Sequence, residues 1–229
     1  MTPIKLVAFD LDGTLVESAA DIARAVDAAL AELGERTYGV DQIKGWVGEG
    51  LTKLLKRALT GHLDGEPDPA LLQHCREQFR RHYLAGLCID TRFYPGARES
   101  LDALRSGFRL ACITNKATEY TEPLLDQLGV RERFDVLVCG DTLAALKPDP
   151  APLLYAASLM GVPPQACCMV GDSRADILAA KAAGFRAVAV SYGYRQGVDL
   201  MALGAEIELN SLTELPAWLA GLAPAAASR

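Results

Sequence analysis

The sequence predicts an α/β fold: a doubly wound, mainly parallel sheet with a helical cap inserted into it. Three observations predict it. An apolar run at residues 4–9 stops abruptly at two acids, Asp10 and Asp12, followed by Gly13. From residue 108 onward short apolar runs alternate with helical stretches. Between the two, residues 15–90 carry apolar side chains almost entirely at helical spacing. Strands separated by helices imply parallel crossovers, and a single early strand cut off from the rest implies an insertion.

The elements follow in order. Residues 4–14, IKLVAFDLDGT, read as a buried strand that delivers two acids into a turn. The stretch Ser18-Ala-Ala-Asp21 reads as a capping box, after which Ile22, Ala25, Val26, Ala29, Leu30 and Leu33 recur on one helical face until Gly34. Two further helices are predicted, one through Leu51, Leu54, Leu55 and Leu59, the other through Leu71, Leu72, Cys75, Phe79 and Tyr83. The Gly48-Glu49-Gly50 turn between helices is not a phosphate loop, since no strand precedes it and no Lys-Ser/Thr follows. Pro95-Gly96 opens another helix, and FRLACIT at 108–114 reads as a strand. Later strands are predicted at 136–139, 167–171 and 186–191, with helices near 118–128, 150–160 and 174–183, the first interrupted by Pro123. The predicted organisation is a Rossmann-like core at 1–14 and 91–222, a helical cap at 15–90 and a flexible tail at 223–229.

Composition narrows the class. Of 229 residues, 50% are hydrophobic and 23% charged, which fits a globular protein and excludes fibrous or disordered classes. The formal charge of -6, without a long basic run, argues against a nucleic-acid partner. No run is long enough to span a bilayer and the first residues lead directly into a strand, so the expectation is a cytoplasmic protein with no membrane partner. The six cysteines form no C-x-x-C, and Cys167 and Cys168 point to opposite faces of one strand, so they read as reduced core residues. The three histidines fall between residues 60 and 85, in helical sequence. Chemistry at Asp10 therefore rests on carboxylates.

The candidate site follows from the strand ends. Thr114-Asn115 after the second strand, Lys147-Pro148 beyond the third, and the run from Asp172 and Ser173 to Asp176 after the fourth all stand where a strand hands over to a helix. In a parallel sheet these turns share one edge, the ligand-binding edge. Four converging acids repel one another unless a cation lies among them, and oxygen-only ligands favour Mg²⁺ with substrate phosphate oxygens completing its shell. Lys147 and the Thr114 hydroxyl suit the remaining phosphate oxygens. The site reads as one for a small-molecule phosphate monoester and a metal. DLDG taken alone also fits, less well, a polar turn after a core strand, and Lys147 alone a solvated loop residue; their order along the chain is what gives them weight. DLDG is not a calcium loop, because the loop's other acids are missing.

DLDGT, the Thr114 strand end, Lys147-Pro148 and GDSRAD stand in the order of the four motifs of haloacid dehalogenase-like phosphatases, which the chain resembles over its whole α/β part. FDLDGTLVES, WVGEG, ITNK, LKPDP, VGDSRADILAAKAAG and SYGY resemble the bacterial branch that acts on phosphoglycolate. The resemblance implies that Asp10 is the nucleophile, forming an aspartyl-phosphate, and that Asp12 is the general acid and base. It further implies that Thr114, Asn115 and Lys147 hold the phosphoryl group, and that Asp10, the backbone carbonyl of Asp12 and Asp172 bind Mg²⁺. Ser173 and Asp176 would support them. Arg174 and Arg195, conceivable partners of a substrate carboxylate, read as surface residues.

Several rivals share parts of the pattern. A receiver domain places its phosphoacceptor on a later strand and lacks so large an insertion. A dehalogenase has no use for Asp12, since a halide leaves without a proton. A phosphosugar mutase usually carries an acid where Gly171 stands. Sugar phosphates, muramic acid phosphate and pyrophosphate remain alternative substrates within the family.

Overall fold

The computed structural model describes residues 2–195 and 197–222, so the tail expected at 223–229 lies outside the described residues. The chain begins with β1 (Leu6–Phe9) and β2 (Val16–Glu17) and continues through α1 (Ala19–Glu32), α2 (Val40–Lys44), α3 (Leu51–Thr60), α4 (Pro69–Ala85) and β3 (Arg92–Phe93). The remainder alternates: α5 (Ala97–Leu104), β4 (Arg109–Ile113), α6 (Thr118–Gln127), β5 (Val136–Val138), α7 (Ala151–Met160), β6 (Cys167–Gly171), α8 (Arg174–Ala183), β7 (Arg186–Val190), β8 (Ile207–Leu209) and α9 (Leu215–Gly221). Among the described residues no helix is long and apolar enough to cross a membrane.

Six strands pair in parallel in the order β5-β4-β1-β6-β7-β8. This is the doubly wound α/β architecture expected from the alternation. Strands of such a sheet are buried on both faces and read as continuous apolar runs, as LVAF of β1 and CCMVG of β6 do. Their side chains divide by parity: Val7, Phe9, Cys112, Cys168 and Val170 pack in one core, and Leu6, Ala8, Ala111, Cys167 and Met169 in the other. Cys167 and Cys168 thus face opposite ways, and all six cysteines are free.

Strand order places the site. β1 lies between β4 and β6, with Phe9 level with Cys112 on one side and Val170 on the other. The chain winds outward from β1 in both directions, so the crevice at its carboxyl end is the topological switch point. Asp10, Thr114 and Asp172 are the residues that follow β1, β4 and β6 there.

α1 to α4 pack on one another. α1 buries Ile22, Ala25, Val26, Ala29 and Leu30, the larger of which each contribute about 1.5–3 kcal/mol. α4 starts at Asp68, whose carboxylate accepts from the N–H groups of Ala70 and Leu71 at 2.9 and 3.0 Å, with Pro69 as first helical residue.

Three local expectations are corrected. Pro123 lies inside α6 rather than interrupting it. Leu124 and Leu125 behind it are fully buried, at about 1.5–3 kcal/mol each, which offsets the roughly 3 kcal/mol that an interior proline costs. Ser18 and Asp21 form no capping box. The Ser18 hydroxyl donates to Asp12 instead, and Asp21 turns toward the far end of the insertion. Finally, the entry and exit of the helical block are not helical: β2 and β3 form a two-stranded antiparallel ribbon, Val16 opposite Phe93 and Glu17 opposite Arg92. The patterns of α2, β8 and α9 were too short to register as periodicity.

Asp21 fastens that entry to that exit. Its carboxylate, almost fully buried, accepts from the N–H of Asp90 at 3.0 Å and from the N–H and hydroxyl of Thr91 at 2.8 and 2.6 Å, and it pairs with Arg24. Burial works to raise its pKa, but the hydrogen bonds outweigh it and hold the carboxyl below the usual range. Replacing Asp21 by Ala strands these donors, so urea denaturation should show a loss of about 2–3 kcal/mol; an unchanged midpoint would show that the contact carries no stability. Because the folded pKa lies below the ordinary value of about 3.9, this stabilisation is complete at neutral pH. It is lost as pH falls below that value and through the lower pKa of the folded state, so the gap between wild type and variant should narrow in acid.

Candidate active site

Lys147 organises the floor of the site. It is almost fully buried, and its ammonium lies 3.0 Å from Asp10, 2.7 Å from Asp176 and 2.5 Å from the carbonyl of Ile113. Three donors thus meet three acceptors. Burial acts against the charge, yet Asp10 and Asp176 outweigh it and keep the ammonium firmly protonated. Asp176 also accepts from the N–H and hydroxyl of Ser173, at 3.0 and 2.6 Å, in the capping box that starts α8. The residue that opens a helix therefore also positions the lysine.

Asp172 sits beside them, accepting from the Thr14 hydroxyl at 2.8 Å and the Tyr194 N–H at 2.6 Å. Oxygens of Asp10, Asp172 and Asp176 lie within 4.8 Å of one another, and all three residues are buried. Burial pushes Asp10 up to about 7 against the pull of Lys147. Burial, with the charges of Asp176 and Asp10, holds Asp172 well above the usual carboxylate range. Buried acids with so high a proton affinity are short of positive charge. An all-oxygen donor set of this kind fits a hard divalent cation.

This crowding is possible only because three neighbours have no side chain. A Cβ on Gly13 or Gly193 would strike the Asp172 side chain, and one on Gly171 would strike Asp176. Gly13 additionally has φ of +90°, a left-handed conformation that favours glycine.

Asp12 faces the other way, toward the helical block. Both its oxygens accept from Lys116, at 3.0 and 2.9 Å, and one also accepts from the Ser18 hydroxyl. Lys116 in turn lies over the ring of Tyr83, 4.9 Å from its centroid. Burial opposes the Lys116 charge, but Asp12 and then Tyr83 outweigh it and raise its pKa. The Thr114 hydroxyl accepts from the Lys116 N–H at 3.2 Å. Asn115 braces the surrounding loops: its amide donates to the carbonyls of Gly48 at 3.0 Å and Lys147 at 2.9 Å, and its oxygen accepts from the Lys147 N–H at 3.0 Å. Both side-chain donors of Asn115 therefore point to protein carbonyls.

These groups form one side of a cavity of about 60 Å³. Asp10, Asp12, Thr114, Asn115 and Lys116 line it from the sheet; Val47, Leu51, Leu54, Phe79 and Tyr83 are among the residues that close it from the helical block. The acids thus meet an apolar wall. Neither Arg174 nor Arg195 lines the cavity, and Arg195 pairs with Glu208 at 2.6 Å.

All eight residues singled out in the sequence stand at this edge. Others there were not singled out. Lys116 stands within ITNK, but a lysine near a helix start has no intrinsic mark. The spacing of Ser18 to Asp21 satisfies the pattern of a helix cap. The SYGY stretch supplies three contacts: the Tyr192 hydroxyl donates to the Thr14 carbonyl at 3.0 Å, the Tyr194 N–H holds Asp172, and the Tyr194 hydroxyl donates to Glu17 at 2.9 Å while accepting from the Ser18 N–H at 2.9 Å. Such roles depend on a loop meeting a distant turn, which periodicity does not encode.

Comparison with known proteins agrees with this geometry. A family model described as haloacid dehalogenase-like hydrolase matches residues 4–184. A phosphoglycolate phosphatase of Nitrosospira multiformis is 47% identical over 213 residues, covering 93% of this chain and 94% of its own. One from Colwellia psychrerythraea is 44% identical over 214 residues, covering 92% and 95%. Among solved structures, a predicted phosphoglycolate phosphatase from Haemophilus somnus superposes with a TM-score of 0.89 at 32% identity, covering 95% of this chain and 99% of that one. CbbY from Rhodobacter sphaeroides, solved in complex with phosphate, superposes at 0.79 and 28% identity, covering 93% and 96%. The chain belongs to the haloacid dehalogenase-like hydrolases.

Proposed function

We propose that this enzyme is a Mg²⁺-dependent phosphatase that hydrolyses 2-phosphoglycolate to glycolate and phosphate. The observation that carries the reading is the placement of Asp10 and Asp12. One faces Lys147 and the acid cluster; the other faces the cavity and the helical block. The division suits a nucleophile beside the phosphoryl site and an acid beside the leaving group. The relatives named as phosphoglycolate phosphatases, matched over nearly their full length, support the substrate.

Charge favours the metal. Asp10, Asp172 and Asp176 set against Lys147 leave two formal negative charges in the floor of the site, which one divalent cation cancels. Asp10, Asp172 and the backbone carbonyl of Asp12 are the proposed ligands. Bound there, Mg²⁺ would neutralise phosphoryl oxygens and favour the ionised form of Asp10.

The chain's own residues then divide the work. Thr114, Asn115 and Lys147 form the proposed phosphoryl cradle, the hydroxyl of Thr114 acting as a donor and the ammonium of Lys147, whose three donors are held by Asp10, Asp176 and the Ile113 carbonyl, acting through its charge. The Asn115 side chain braces the loop that carries Lys147. An Asp10 oxygen attacks phosphorus as the bond to the ester oxygen breaks, and Asp12 gives that oxygen its proton. Asp12 then takes a proton from water, whose oxygen attacks phosphorus; phosphate leaves and the Asp10 carboxylate is restored. Ser173 and Asp176 hold Lys147 throughout. The insertion at 15–90 is read as a cap that supplies the apolar wall and shields the reaction from bulk water. Gly171 favours a hydrolase over a mutase, because any side chain there would collide with Asp176.

Phosphate release measured over small monoesters should give the highest kcat/KM for 2-phosphoglycolate; clear preference for another ester would replace the substrate while leaving the chemistry. Asp10→Asn should fold normally, by circular dichroism and melting, yet show no turnover above background, and retained turnover would remove the nucleophile assignment. Chelation should abolish activity and lower the melting temperature of the wild type, with Mg²⁺ restoring both. Equal melting with and without Mg²⁺ would count against a bound cation. Gly193→Ala should displace Asp172 and cost about a hundredfold in kcat/KM; wild-type activity would show that the Asp172 position is not critical.

A further inference from the structure

Resting on the reading of 2-phosphoglycolate as substrate, we propose that Tyr83 and Lys116 form its carboxylate subsite, joining the helical block and the sheet across the cavity. The Tyr83 side chain is almost fully buried, lines the cavity, and its hydroxyl finds no hydrogen-bond partner among the described residues. A buried hydroxyl left unpaired costs stability and is rare in folded proteins. Packing does not explain its presence, since phenylalanine would fill the same space. Tyr83 is also held still: its ring stacks on Phe79 at 5.1 Å and meets Tyr120 edge-on at 5.3 Å. A fixed, unpaired donor on a residue that lines the cavity suits an acceptor that arrives with the ligand.

Lys116 supplies the charge. It is the cationic side chain among the residues lining the cavity, and its ammonium lies above the Tyr83 ring, 4.9 Å from the centroid, where its charge acts on the phenol. Two of its three donors serve Asp12. The chemistry of the substrate fits this sharing. In 2-phosphoglycolate a single methylene separates the ester oxygen from the carboxylate carbon. The oxygen protonated by Asp12 therefore lies two bonds from the carboxylate, and a cation 2.9 Å from Asp12 is within reach of both. Ile22, Val47, Leu51, Leu54 and Phe79 of the surrounding wall carry neither charge nor side-chain donors, so a neutral alkyl ester gains nothing from the pair.

The test compares 2-phosphoglycolate with ethyl phosphate, which has a methyl group where the carboxylate stands. The readout is the ratio of their kcat/KM values in the Mg²⁺-loaded enzyme. Tyr83→Phe, with wild-type melting, should lower that ratio by about tenfold or more, the loss appearing mainly as a higher KM for 2-phosphoglycolate. Lys116→Gln should lower the ratio further, although its contact with Asp12 will slow both esters. Competitive inhibition by glycolate should weaken in both variants, while inhibition by inorganic phosphate persists. A wild-type ratio well above one that survives unchanged in both variants overturns the subsite and leaves the substrate intact. A wild-type ratio near one overturns the substrate reading and the subsite with it.

Discussion

The structure depends on one buried ammonium among buried carboxylates. Lys147 cannot be desolvated without acids around it, and Asp10 and Asp176 cannot be buried so close together without a cation. Each ion removed from water costs several kcal/mol, so burial of the ammonium depends on its acidic neighbours. Because its three acceptors come from the end of β1, the end of β4 and the first turn of α8, the ammonium also sets those elements in register. The site is therefore part of what holds this edge of the sheet together. Positive charge is nonetheless in deficit, as the raised proton affinities of Asp10 and Asp172 indicate. A fold that leaves such a deficit has kept a place for a cation.

Geometry at this edge is set by absence of side chains as much as by their presence. Asp172 is enclosed by Gly13 on one side and Gly193 on the other, while Gly171 makes room for Asp176. The loop of residues 191–194 approaches closely enough for the Tyr194 N–H to hold Asp172 and for the Tyr192 and Tyr194 hydroxyls to reach the turn after β1. Two segments some 180 residues apart in sequence are thus joined through tyrosine hydroxyls. Such precision costs conformational entropy, which the flanking strands β6 and β7, fully paired in the middle of the sheet, offset.

What was legible in the sequence was what repeats. Strands buried on both faces appear as apolar runs, and β6 was delimited at its observed ends; the α8 pattern likewise matched. Acids at strand ends were legible because nothing in packing asks for a carboxylate after Phe9 or Gly171. Contacts that join separate elements were not. Ser18 satisfied the spacing of a cap, yet its hydroxyl had a charged acceptor in Asp12, and a hydrogen bond to a charged group is worth more than one to a helix N–H. Asp21 left the same pattern for three donors at residues 90 and 91. Lys116 and Tyr83 looked like an ordinary helix-start lysine and an ordinary core aromatic. Their proximity exists only once α4 is laid against the turn after β4.

Those same contacts explain why the helical block is inserted where it is. Its two connections leave from the acid turn and return at the β2–β3 ribbon, with Asp21 tying one to the other. Two of its polar contacts with the sheet edge lie at the cavity: Gly48 accepts from Asn115, and Tyr83 lies beneath Lys116. Asn115 also holds the segment carrying Lys147, and Lys116 also holds Asp12. Any displacement of the block thus pulls on the two residues nearest the proposed phosphoryl cradle and proton donor. The apolar wall lies over the acids in the same arrangement in which these contacts are made. The contacts that seat the block and those that set the site therefore share two residues, Asn115 and Lys116.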